Sequence, residues 1–461
     1  MTEDRVQHLR AWLAAVLLAI AAVICTADRT LPGLLMEPIK HSLSLTDTEI
    51  GILTGFTFTI SMTIAALPLA WLADRYDRVL LLSGAIAAWC ILTIASGFAR
   101  DFQTLFLFRL GVGIGEAALL PASLSLLADL FPLDKLARAS ALLAYSVPLG
   151  TFMAMTGGGE LYEAMSHGLG AGVIPFAGEE SWRSTTIIFG AAGLIAAMLT
   201  ATLLPEPRRR KAASVLPSVE AARSNPSTMR AYLPRAAMFI LPYLVCTGVF
   251  TIFLMGFNTW LAPFFSRSYG WSVGEIGRVM GFTALVSGLI APAVGLFFNA
   301  AARRWLDREA PVAAICIMMT LALPLVVLGP LAPDGMLTAA AFGASFALMG
   351  GCTVIAMVVY ASMAPAGLRA RMVAIVHLIC GLAGSTGAIL YAGFTDLVLE
   401  NPAKLYLTIS VLSGLLLAIS ILAGLIADRR YSQILALSVA FDEDDAAPLS
   451  PLHIRAAKLS H

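Results

Sequence analysis

Four ionisable side chains stand inside long apolar runs: Asp28 and Arg29 in AAVICTADRTLPGLL, and Arg109 and Glu116 in RLGVGIGEAALLP. Charges in such surroundings are costly, and they persist where they pair, face a water-filled cavity or relay protons. A carboxylate shielded from water holds its proton more tightly, while a nearby guanidinium works the other way. Such a group can take up and release a proton as its surroundings change. Arginine offers a planar fork that fits a phosphate or carboxylate. The residue types therefore suit proton exchange beside an anion-binding fork.

Geometry constrains the partners. Asp28 and Arg29 are adjacent, so on a helix they point roughly 100° apart and cannot face each other. Arg109 and Glu116 are seven residues apart, nearly on one face and about 10 Å apart along a helix axis. A span entered near Ala11 places Asp28 about 25 Å in, and one entered from the other side near Gln103 places Arg109 about 9 Å in. Asp28 and Arg109 then sit at comparable depths and can pair, with Glu116 deeper, near the bilayer centre. The competing reading for Asp28 and Arg29 is the watered outer end of the first span.

Other chemistries fit poorly. The six cysteines (Cys25, Cys90, Cys246, Cys316, Cys352 and Cys380) lie singly in apolar runs without CxxC or CxxH spacing, which points to no metal site and no disulfide framework. GVGIGEA mimics a nucleotide loop but lies within an apolar run with no strand before it. The formal net charge is +1, and no basic stripe with interleaved aromatics appears, so no nucleic-acid partner is expected.

The elements that hold these residues are membrane helices. Of 461 residues, 59% are hydrophobic and only 13% charged, far from a soluble composition. Runs of about 20 apolar residues recur twelve times, near 11–36, 49–73, 79–99, 103–130, 136–158, 183–204, 235–265, 273–300, 310–331, 335–363, 370–396 and 402–427. The first run, behind Arg5 and Arg10, could pass for a secretory signal, but eleven more follow and it reads as a retained span. With the N-terminus inside, 22 of the 30 Lys and Arg residues fall on the cytoplasmic side and six outside, which predicts cytoplasmic termini.

The basic segment between spans six and seven divides the chain into 1–204, a linker 205–234, 235–428 and a polar tail 429–461. SLTDTEIGILTGF and GWSVGEIGRVMGF open spans 2 and 8 with matching capping boxes, Thr46 with Glu49 and Ser272 with Glu275. Pro132…Arg138 and Pro365…Arg371 also match. The chain is thus read as all-α, twelve transmembrane helices in two pseudo-symmetric six-helix bundles, an architecture with a midplane cavity.

AWLADRYDR, residues 70–78, joins spans 2 and 3. It resembles the major facilitator superfamily signature Gly-x-Leu-Ala-Asp-Arg-x-Gly-Arg-Arg, with Leu72, Ala73, Asp74, Arg75 and Arg78 matching. Ala70, Asp77 and Val79 depart from it. In the second half, GLFFNAAARR keeps Gly295, Arg303 and Arg304 but has Asn299 in the acidic position. The resemblance implies a cytoplasmic gate of Asp74, Arg75 and Arg78 that rocking must break. DRYDR, the Arg109–Pro132 run and YSVPLGTFMA further resemble the spinster-type facilitators.

That resemblance implies a secondary transporter, not an enzyme, that moves amphiphilic anionic lipids of the lysophospholipid or sphingosine-phosphate type by alternating access. Asp28 and Glu116 would couple protons; Arg29, Arg109 and Glu116 would meet the headgroup. The expected partners are membrane lipids and the substrate, with the proton as coupling ion, no cofactor and no metal. The expected state is a functional monomer in a bacterial inner membrane. Alternatives are a facilitator for a small organic acid, sugar acid or drug, and a membrane sensor that no longer transports. His377 reads first as a satisfied interior histidine. Asn258, Trp260 and Tyr360 are candidate cavity residues, Phe250, Phe253, Met255 and Phe257 read as helix packing, and Trp182–Arg183 as an interfacial anchor.

Overall fold

The computed structural model describes residues 3–57, 76–178, 180–204 and 226–446, and residues 60, 61, 64, 65, 68, 69 and 72 between the first two stretches. Among them, eleven helices are long and apolar enough to cross a membrane. They match eleven of the twelve expected runs; the other, 49–73, lies partly outside the described residues.

In the first half of the chain, α1 (Glu3–Leu34) crosses first. A short α2 (Met36–Leu43) and α3 (Asp47–Gly51) follow. Then come α4 (Arg78–Ser96), α5 (Phe102–Glu116) and α6 (Leu119–Leu130). The next crossing is built from α7 (Leu133–Ala144), α8 (Ser146–Phe152) and α9 (Gly158–Ser166), and α10 (Ser181–Leu203) closes the half. The second half holds α11 (Pro226–Tyr269), α12 (Val273–Leu306), α13 (Pro311–Leu328), α14 (Gly335–Ser362), α15 (Ala366–Gly393), α16 (Leu405–Asp428) and α17 (Tyr431–Ala446).

Local chemistry sets these boundaries. Both expected capping boxes form: Thr46 with Glu49 starts α3, and Ser272 with Glu275 starts α12. Asp77, the residue that departs from the signature glycine, caps α4 by accepting from the Leu80 N–H at 2.8 Å. The expected single span 103–130 is interrupted at residues 117–118, because Pro121 supplies no N–H to the carbonyl of Ala117. Pro148 breaks the next crossing after Ala144 in the same way and the helix resumes as far as Ser166, beyond the expected limit of 158. The segment 429–446, read from sequence as polar tail, begins with α17. This helix docks by its apolar residues, with Tyr431 and Ile434 buried and Phe441 edge-on to Tyr232.

Glu37, just after α1, meets Arg267 near the end of α11, so both helices start at the other face, where α17 packs Phe441 on Tyr232. That face is the terminal face, and the one with Glu37 and Arg267 is the distal face. At the distal face the halves meet closely. Gly51 and Gly55 pack on the backbone of α15 at Ala388 and Ser385, and Gly159 packs on Gly274 and Gly277 of α12. Residues Ile52–Phe56 and Met153–Gly157, at those two contacts, form π turns, an irregularity that often marks functional sites.

Candidate functional site

The four intramembrane charges come together. Arg109 on α5 lies 3.8 Å from Asp28 on α1, as depth alone predicts. Thr93 of α4 donates to the other Asp28 oxygen at 2.7 Å. Arg29 turns the opposite way and binds Glu116 through Nη2 at 3.0 Å and Nε at 3.3 Å. The sequence reading did not anticipate that second pair. Asp28 is only 4% exposed and is shielded from water, whereas Arg29 is exposed.

Close helix packing makes the arrangement possible. Added side-chain carbons at Gly111 and Gly115 would strike Leu92 and Trp89, so these glycines let α5 lie directly on α4. Glu116 is the last residue of α5, at the break before Pro121. The network is incompletely satisfied: Asp28 Oδ1 and Glu116 Oε1 are buried without a hydrogen-bond partner among the described residues. Buried acceptors left in this state are costly, and each is available to a proton or a ligand donor.

Beside the network lies a pocket enclosing about 720 Å³, part of it open to solvent. Arg29, Arg109 and Glu116 form its charged end, while Met36, Ile39, Ile50, Leu53, Leu105 and Val112 give it apolar walls. Trp182 also lines it. This corrects the interfacial-anchor reading: Trp182 and Arg183 are both buried. Arg183 is drawn inward by the free carbonyls after α4, donating to Gly97 at 3.1 Å and to Ala99, and it pairs with Glu180 at 2.6 Å. The indole N–H of Trp182 has no acceptor among the described residues. Sequence patterning could not separate this Trp from one at a membrane interface.

The remaining candidates divide. Of the signature residues, Asp74 and Arg75 lie outside the described residues. Arg78 is buried and bound to α6, 2.7 Å from Asp129 and 2.8 Å from Ser125. His377 is exposed, not interior, so that reading is corrected. It sits about three turns before Ala388 on the same face of α15, the face that packs on the first half. Trp260 is fully buried, donating to the Ala388 carbonyl at 2.9 Å, and therefore lines no cavity. Phe250, Phe253 and Phe257 pack in the core as expected, whereas Met255 is exposed. Among the described residues, no group of His, Cys, Asp and Glu could hold a metal ion.

Paired charges within a crossing bundle, a pocket beside them and matched contacts between two halves describe a carrier. The Major Facilitator Superfamily model matches residues 18–388, and the chain belongs to that family. It is a membrane transporter rather than an enzyme.

Its relatives refine the likeness. An MFS-type efflux pump of Mycolicibacterium smegmatis is 30% identical over 350 residues, 75% of either chain. Human protein spinster homolog 1 is 28% identical over 199 residues, 41% of this chain and 35% of that one. In fold, the chain superposes on a bacterial homologue of the human lysosomal transporter spinster with a TM-score of 0.74 at 22% identity. That match covers 96% of this chain and 99% of the other. The spinster resemblance expected from the first-half motifs is supported by the sequence similarity to spinster homologs, and the solved structure shares the fold.

Proposed function

We propose that the chain is a proton-coupled carrier of an amphiphilic anion, working by alternating access. The observation that carries this reading is the junction of two ion pairs, each with a buried carboxylate, with an apolar pocket. A lysophospholipid-type molecule has the same division, an anionic headgroup for Arg29 and Arg109 and a chain for the apolar walls. Similarity to spinster homologues and to an efflux pump supports the class.

Proton coupling follows from competition within the network. Arg29 and Arg109 each face one carboxylate. A substrate anion that takes a guanidinium leaves a buried carboxylate without its counter-charge, and proton uptake compensates. Asp28 and Glu116 are the residues assigned to this exchange. We also assign Asp74, Arg75 and Arg78 to a gate at the terminal face. We assign the two bundles to 1–204 and 235–428, and the terminal face to the cytoplasmic side of a bacterial inner membrane; the Lys/Arg asymmetry supports the cytoplasmic assignment.

One relative favours a second substrate class. The probable L-galactonate transporter of Escherichia coli is 31% identical over 185 residues, 40% of this chain and 37% of that one. A sugar acid would use the same arginines without the apolar walls. Proteoliposomes subjected to a pH jump test both readings. Uptake of a lysophosphatidylglycerol, competed by lysolipids and not by hexonates, supports the lipid anion. The reverse pattern supports the sugar acid, and no flux under any gradient supports a sensor.

A further inference from the structure

We infer that the short helix α2 is a lid over the pocket, latched shut by Arg267 of the other half. The inference rests on the pocket being the transport site. Two apolar residues of α2, Met36 and Ile39, are buried and line the pocket wall toward the distal face. The polar side of the same helix faces the second half. Arg267, near the end of α11, reaches Glu37 of α2 at 2.7 Å and holds Asp47, at the start of α3, through two bonds at 2.7 and 2.8 Å. Lys40 of α2 also pairs with Asp47. One guanidinium, 11% exposed, therefore ties the lid and the first turn of α3 to the opposite half.

The ends of α2 are suited to movement. Before it, Pro32 and Gly33 lie in the last turn of α1, and a side-chain carbon added at Gly33 would meet nothing within 4 Å. Packing therefore does not demand this glycine, while a bend would use it. After it, Ser44 takes a left-handed conformation with φ of 54° and ends the helix. When the halves part at the distal face, Arg267 must leave Glu37 and Asp47 together. Distal opening and uncovering of the pocket then become one event, so a bound molecule is not released while the distal face is shut.

Spin-label distances in the full chain test this. All six native cysteines are buried, so labels go to introduced thiols, with the unsubstituted protein as the labelling control. His41→Cys with Arg100→Cys reports the lid against its own half; Arg100→Cys with Met336→Cys reports separation of the halves. All three positions are exposed. Glu37→Gln combined with Lys40→Gln releases the lid alone, because α2 then has no ion pair to Arg267 or Asp47 while Arg267 keeps Asp47. We expect a longer His41–Arg100 population, shifted by about one helical turn, roughly 5 Å, with the Arg100–Met336 distance unchanged. Arg267→Ala should lengthen both. An unchanged His41–Arg100 distribution in the Glu37→Gln, Lys40→Gln double variant overturns the lid, as does separation of the halves in Arg267→Ala with α2 fixed. These distances are read without substrate, so failure of lysophosphatidylglycerol uptake would remove the transport-site reading and leave this result separate.

Discussion

Arg29 and Glu116, 87 positions apart, hold each other at 3.0 Å, with the carboxylate almost fully buried and the guanidinium side chain 45% exposed. The pair joins α1 to the break after α5, so it serves structure and site together. Glu116→Ala leaves the guanidinium without that acceptor and should lower stability by about 1–3 kcal/mol, the scale of a hydrogen bond to a charged group. The unfolding midpoint in detergent measures it. Glu116→Gln keeps an acceptor and should fold nearly as well while losing the pH dependence of flux. Equal pH profiles for Glu116→Gln and the parent would remove Glu116 from proton coupling.

Asp28 gives a complementary test. Its Thr93 bond survives in Asp28→Asn, because an amide oxygen accepts as a carboxylate does. Arg109 loses its counter-charge at 3.8 Å. Insertion and helix content should therefore stand, while flux driven by a pH gradient falls to background. Flux in proteoliposomes, normalised to inserted protein, reads this directly.

These two pairs show what could be read from sequence. Depth along a helix follows from residue counting, which is why Asp28 and Arg109 could be matched. The Arg29–Glu116 pair depends on rotation about the helix axis and on the break imposed by Pro121, neither of which a span count supplies. The capping boxes at Thr46 and Ser272 were legible because their bonds close within four residues. Arg267 was not, since its partners Glu37 and Asp47 lie 230 and 220 positions away and depend on how the halves meet. Trp182 and Arg183 looked interfacial because they open a span. Arg183 is buried by the carbonyls at the end of α4, and Trp182 lines the pocket.

The distal latch has its own pH behaviour. Burial pushes the Asp47 carboxyl upward, but hydrogen bonds from Arg267 and Lys40 outweigh it, and the net shift is below the ordinary value. A carboxylate with a depressed value contributes its stabilisation above the ordinary carboxylate range, near pH 4, and loses it as pH falls through the depressed value. Distal closure should therefore stay constant between about pH 5 and pH 8. The Arg100–Met336 spin-label distance across that range checks it. Movement within the range would place a titrating group other than Asp47 in control of closure.

A final prediction concerns how tightly the distal face must shut. A side-chain carbon at Gly277 of α12 would lie 2.2 Å from the carbonyl oxygen of Met155, inside the π turn of the first half. Backbone cannot yield there as a flexible side chain could. Gly277→Ala should push the two crossings apart and favour the conformation open at the distal face. The Arg100–Met336 distance should lengthen, with flux reduced even where binding is retained. Gly157→Ala is the matched control: it lies in the same π turn, yet an added carbon meets nothing within 4 Å. It should leave that distance unchanged. Equal behaviour of the two variants would show that contact at Gly277 does not govern closure.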